Sequence, residues 1–172
     1  GKPYVLGGMC QLSCSIKAPG VIGQGGPLNK IVFGELGGGA SPRAQAVLDV
    51  LKKADIVAEL STNIEVDLWS KFLFITALGG VCTVTGSVLG PLRADPDTRA
   101  LLVNCMEEVH ALAKKKGVAL DPNIVKEMLA RIDKSPEATR PSMLLSLQQG
   151  GKLEVEALNG AVARLGKQLG VP

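Results

Sequence analysis

This sequence predicts a mainly α fold with a short antiparallel β segment at its N-terminus, and three observations lead there. The first forty positions hold eleven of the 21 glycines together with two β-like runs. From Ser41 onward, apolar residues recur at helical spacing between cap signals. Between Leu68 and Leu92 the only charge is Lys71, so one long apolar helix anchors the rest.

Taken in order, Tyr4 to Ile16 and Lys30 to Glu35 read as two strands. Ala18-Pro19-Gly20 and an expected loop over Gly23-Gln24-Gly25-Gly26 join them into an antiparallel pair. The GVIGQGG segment does not fit a phosphate-binding loop, because a dinucleotide fingerprint leads from strand into helix and here a strand follows. Gly37 to Gly39 form a flexible loop. Ser41-Pro42 caps a helix reaching Lys53, and Ile56 to Leu60 reads as a short strand. The central helix runs from about Asn63 to Val84. Asp95-Pro96 opens another, which ends at Lys114-Lys115-Lys116-Gly117, cations near the carbonyl end followed by a C-cap glycine. Asp121-Pro122 is expected to repeat that start for a helix over Ile124 to Ile132. Ser142 to Gln149 gives a short helix. A last one spans Glu154 to Leu169, with Val155, Leu158, Val162, Leu165 and Leu169 facing inward.

Composition narrows the function classes. A net charge of +3, scattered lysines and arginines, and five aromatics do not make a nucleic-acid surface. A single histidine, His110, leaves no material for His-based triads or multi-His metal sites, so no metal is expected. Cys10 and Cys14, in one strand, lie about 13 Å apart at ~3.3 Å per residue, too far for a disulfide. Cys82 and Cys105 read as small core residues. Phe72 to Leu89 is long enough uncharged to span a membrane, but its glycines, serine and threonines favour a buried helix in a soluble domain. With no signal peptide, the expected compartment is cytoplasmic. The chain opens at Gly1 directly into strand-like sequence, which reads as a piece of something longer.

Lys71, among Trp69, Phe72, Leu73, Phe74 and Ile75, carries the chemical interest. Burial disfavours an ammonium's charged form, and a lysine so tuned can pass a proton to a substrate. The competing explanation is a stem lying along apolar surface with its head in water. Spacing alone favours the second.

Three anchors in this order then resemble the ketopantoate reductase (2-dehydropantoate 2-reductase) family: VLGG with PGVI and IVFGEL, LWSKFLF around Lys71, and RPSML leading to LEVEALNGAVARLGKQLGVP. The resemblance covers nearly the whole chain and lacks the family's glycine-rich nucleotide-binding part. It implies a β remnant of the nucleotide-binding domain over 1–40 and a helical substrate and dimerisation domain over 41–172. It also implies NADPH-dependent reduction of a small 2-oxo acid, a step of pantothenate biosynthesis, in a homodimer. Lys71 becomes the cation or proton donor to the carbonyl, with Ser142 and Glu154 binding and orienting the substrate. Without the resemblance, Ser142 reads as a helix N-cap and Glu154 as a carboxylate in a first helical turn.

The chain departs from the family pattern on the lysine's own helix face. Asparagines usual four and eight residues after the lysine are Ile75 and Gly79, and Gly79 is expected to leave a gap. After Ser-Met-Leu, the family's Gln-Asp is Leu145-Ser146. Two functions of different class therefore stand side by side. One is the substrate-binding part of an NADPH-dependent reductase, inactive without the missing domain. The other is a non-catalytic helical dimerisation module.

Overall fold

The computed structural model describes residues 4–172. It is mainly α with an N-terminal β segment, the class the sequence predicts. The elements run β1 (Leu6–Ala18), β2 (Val21–Glu35), α1 (Pro42–Lys53), β3 (Val57–Leu60), α2 (Ile64–Thr85), α3 (Leu89–Ala94), α4 (Pro96–Lys115), α5 (Ile124–Asp133), α6 (Ser142–Gln148) and α7 (Asn159–Leu169). Composition divides the chain near residue 40; internal packing divides it between Leu68 and Trp69, within α2.

In the first unit β1 and β2 pair antiparallel, and β3 joins β2 in parallel, giving the order β1-β2-β3. A parallel neighbour needs a crossover, and α1 supplies it. The hairpin turns at Pro19-Gly20, where Gly20 takes φ 77°, the proline–glycine succession a type II turn uses. The expected loop at Gly23–Gly26 is strand instead, since Cys14 pairs with Gln24 and Ser15 with Gly23. Glycine admits this course. A Cβ at Gly23 would stand 2.6 Å from Lys17 Cε, and Gly26 at φ 75° lies within a break in register between Leu12 and Cys14. The sheet's inner face packs Phe33 against Ala44 and Leu48 of α1, with Leu6, Ile31 and Leu60 around them.

Ser41 caps α1 as the sequence predicts, accepting a hydrogen bond from Ala44 N at 3.2 Å. Its hydroxyl also donates to Glu35, whose carboxylate receives the Arg43 guanidinium through Nε and Nη2. Arg43 and Ser41 hold Glu35 down to about 2 from an ordinary 4.5. Because folding lowers this pKa, Glu35 stabilises the fold above its ordinary range, and that contribution is lost as pH falls toward 2. Arg43→Gln should therefore lower the urea midpoint at pH 6 and flatten its decline between pH 5 and pH 2.5. Parallel profiles for the two proteins would show that the fork adds no pH dependence.

In the second unit, α2 buries Leu73, Ala77, Leu78, Val81 and Cys82, and α4 buries Leu102, Met106, Val109, Leu112 and Ala113. α2 is also the one helix among the described residues long and apolar enough to cross a membrane. Asp95 caps α4 through Thr98 N at 2.8 Å, and Gly117 at φ 77° follows its end, both as expected. Asp121-Pro122 does not repeat the device. The Asp121 carboxylate accepts from Asn123 N and its carbonyl from Ile124 N, closing a turn before α5 begins. α3 was not expected. Arg93 at its end donates to the carbonyls of Ile132, Asp133 and Ser135, capping α5.

Candidate active site

α2 carries Lys71 at the start of its third turn, half-buried. At about 100° per residue, Ile75 and Gly79 follow on the neighbouring face. Two glycines in succession, Gly79 and Gly80, cost a helix interior about 1 kcal/mol each relative to alanine. The structure shows what they allow. A Cβ at Gly79 would touch Met143 Cε at 3.5 Å and Met143 Cβ at 3.9 Å. The expected gap at Gly79 is thus filled by the Met143 side chain, and the face beyond Lys71 is apolar: Ile75, then Met143.

Ser142 is the residue before Met143. It is exposed and stands inside α6 rather than capping it, since Pro141 takes the cap position. Glu154 is exposed as well, and the helix expected from it starts at Asn159. The apolar spacing of 155 and 158 belongs to a turn, in which Glu154 O accepts from Ala157 N and Leu158 N at 3.0 Å each. The helix-end duties that would have explained Ser142 and Glu154 are therefore not theirs.

The second unit ties these elements to the lysine helix. Met143 reaches α2 at Gly79, and Asn159 Nδ2 donates to Thr76 O at 3.1 Å. Lys71, Ser142 and Glu154 remain on separate segments, and it is their neighbours Met143 and Asn159, not Ser142 or Glu154 themselves, that reach α2. A hollow of about 460 Å³ between α4 and α5, lined by Arg99, Val103, Lys126, Leu129 and Asp133, contains none of the three. Sequence reasoning missed Met143, Asn159 and Gly80. The Gly79-Gly80 pair inside an apolar helix was the available signal, because an interior glycine marks close approach.

The two helical cysteines are poor nucleophiles. Burial pushes Cys82 up to about 11, and burial with Glu108 nearby raises Cys105, so both stay protonated at neutral pH. Among the described residues no group of three or more His, Cys, Asp or Glu is placed to hold a metal ion. His110 lies half-buried on α4, 3.7 Å from Glu107.

Two glycine stretches bear on dinucleotide binding. Gly23–Gly26 lies inside β2. The β2–α1–β3 crossover does lead through Gly37–Gly39 into a helix N-terminus, the place where a pyrophosphate binds in such units. There, however, the chain's own Glu35 carboxylate engages Ser41 and Arg43.

A family model described as ketopantoate reductase PanE/ApbA, C terminal, matches residues 63–172. YkpB of Bacillus subtilis, described as an uncharacterized oxidoreductase, is 29% identical over 170 residues, covering 98% of this chain and 55% of that protein. The 2-dehydropantoate 2-reductase of Mesorhizobium japonicum is 28% identical over 174 residues, covering 100% of this chain and 52% of the relative. The chain thus spans about half the length of these relatives. The crystal structure of 2-dehydropantoate 2-reductase from Methylococcus capsulatus superposes with a TM-score of 0.86 at 23% identity, over 97% of this chain and 53% of that one, which establishes the shared fold.

Proposed function

The chain belongs to the ketopantoate reductase family, and on that premise we propose that it is the C-terminal, substrate-binding part of an NADPH-dependent 2-oxo acid reductase. One observation carries this most: Met143, next to Ser142, lies against the Lys71 helix at Gly79, and Asn159, five residues after Glu154, donates to Thr76 O on the same helix. A carbonyl receiving hydride gains negative charge on oxygen, and an N–H donor held at that oxygen lowers the barrier. Lys71 fills that role and gives the proton, while Ser142 and Glu154 bind and orient the substrate. NADPH, the hydride source, is held by a nucleotide-binding domain whose closing part is the first unit, β1-β2-β3 with α1, and the second unit is the substrate half. The whole protein works in the cytoplasm as a homodimer, with exposed Leu145, Leu147 and Val155 available for covering.

The apolar face beyond Lys71 bears on the substrate. Ketopantoate has a hydroxymethyl group, and a hydrogen bond to a polar partner is worth about 0.5–1.5 kcal/mol. Ile75 and Met143 offer none. The full-length enzyme should therefore prefer a branched apolar 2-oxo acid over ketopantoate in kcat/KM, and Ile75→Asn should move that preference toward ketopantoate about tenfold. Gly79→Asn is the poorer test, because Met143 must first move. A wild type that strongly favours ketopantoate, with Ile75→Asn lowering that rate, would refute the apolar-face argument. Absence of turnover with every 2-oxo acid tried would favour the other function, a dimerisation module without catalysis.

A further inference from the structure

Asn159 opens α7, five residues after Glu154, and reaches back 83 positions in sequence to α2. Its Nδ2 donates to Thr76 O at 3.1 Å, five residues beyond Lys71. The fit is close. A Cβ at Gly80 would stand 2.4 Å from Asn159 Nδ2 and 3.1 Å from its Cγ, so only glycine lets the amide lie against the helix there. The other end of that amide is costly. Asn159 Oδ1 is buried with no hydrogen-bond partner, and an apolar side chain of the same shape would avoid the penalty.

The segment that Asn159 anchors is itself stiff. Glu154 O accepts from Ala157 N and Leu158 N, and Val155 O accepts from Gly160 N at 2.8 Å. Arg164, one turn into α7, grips Glu156 twice, through Nη1 to Oε2 at 3.0 Å and through Nη2 to the carbonyl at 2.7 Å. The turn after Glu154 thus moves as one piece with the start of α7, and Asn159 fixes that piece to α2.

We propose that Asn159 is a positioning residue, which with Gly80 and Thr76 O sets the Glu154 turn at a fixed place on the helix that carries Lys71. This rests on the reductase reading above, since only there does the placement of Glu154 matter to turnover. A misplacement of about 1 Å at a reacting centre can cost up to ~100-fold in rate.

The test uses Asn159→Leu in the full-length protein, with Gly80→Ala and the double variant beside it. Asn159→Leu removes the bond to Thr76 and the orphan oxygen together, so global stability should change little. Amide exchange at Ala157, Leu158 and Gly160 should quicken about tenfold or more as the turn loosens. The kcat for a branched 2-oxo acid should fall by about 10- to 100-fold, with KM for NADPH unchanged. Gly80→Ala should reproduce this loss by displacing the amide, and adding it to Asn159→Leu should cost much less than it costs alone. Unaltered exchange in Asn159→Leu overturns the proposal, as does quickened exchange with unchanged kcat. A wild type inactive on every 2-oxo acid refutes the reductase reading instead, and the exchange result then decides whether the anchor exists.

Discussion

Lys71→Met in the full-length protein should lower kcat for 2-oxo acid reduction by about 10²–10³-fold while leaving KM for NADPH nearly unchanged. Methionine keeps most of the stem's apolar volume on a half-buried helix position, so stability should stay close to wild type. What it removes is a cation and three N–H donors, the groups that the proposed role sets against the carbonyl oxygen. An interaction made chiefly in the transition state shows as lost kcat, whereas simple substrate affinity shows in KM. Lys71→Arg discriminates further. It keeps the charge but gives up a readily transferable proton, so it should recover only a small part of the rate. If Lys71→Met turns over at the wild-type rate, Lys71 is a solvated surface cation and the role belongs elsewhere.

The second large effect concerns stability. Gly34 is buried on β2 opposite Gly7, and a Cβ there would lie 2.5 Å from Ser61 O, a backbone atom. That carbonyl cannot readily retreat. Ser61 N donates to Phe33 O at 2.7 Å, and Ser61 Oγ donates to Asp67 and accepts from Asn63 N. Gly7 is as confined, with Ile64 Cγ2 2.9 Å from its own absent Cβ, and Ile64 is fully buried between the pair. Gly34→Ala should cost about 3 kcal/mol and lower Tm by roughly 6–12 °C. Gly25→Ala is the control, because the nearest atom to its Cβ would be Ser13 Oγ at 3.9 Å. Equal melting of the two variants would mean that the Ser61 turn yields after all.

The contrast between those glycines shows what the sequence made legible. Local signals were read correctly at Ser41 and Asp95, whose side chains cap the helices beginning beside them. The same reasoning failed at Asp121, where an identical dipeptide spends its carboxylate on a turn. It failed again at Glu154, where apolar spacing continues through residues that are not helical. Of the proposed site, Lys71, Ser142 and Glu154 rest on the family resemblance rather than on spacing. Asn159 and Met143 were hidden because their meaning lies in contacts with Gly80 and Gly79, far away in sequence. A cap is written within four residues, but a contact across a core is not.

The bulged hairpin also bears on solubility. Among the described residues, the order β1-β2-β3 leaves β1 and β3 as outer strands, and β1 carries Leu12 and Ile16 exposed. An even outer strand offers a neighbouring molecule a row of free N–H and C=O groups, the usual template for aggregation. Here the ladder is broken between Leu12 and Cys14 and again between Ile16 and Ala18. Each break twists the strand and interrupts the regular alternation that an incoming strand would have to match. Gly26, inside the first of these breaks, thus helps keep an apolar ribbon from recruiting its like.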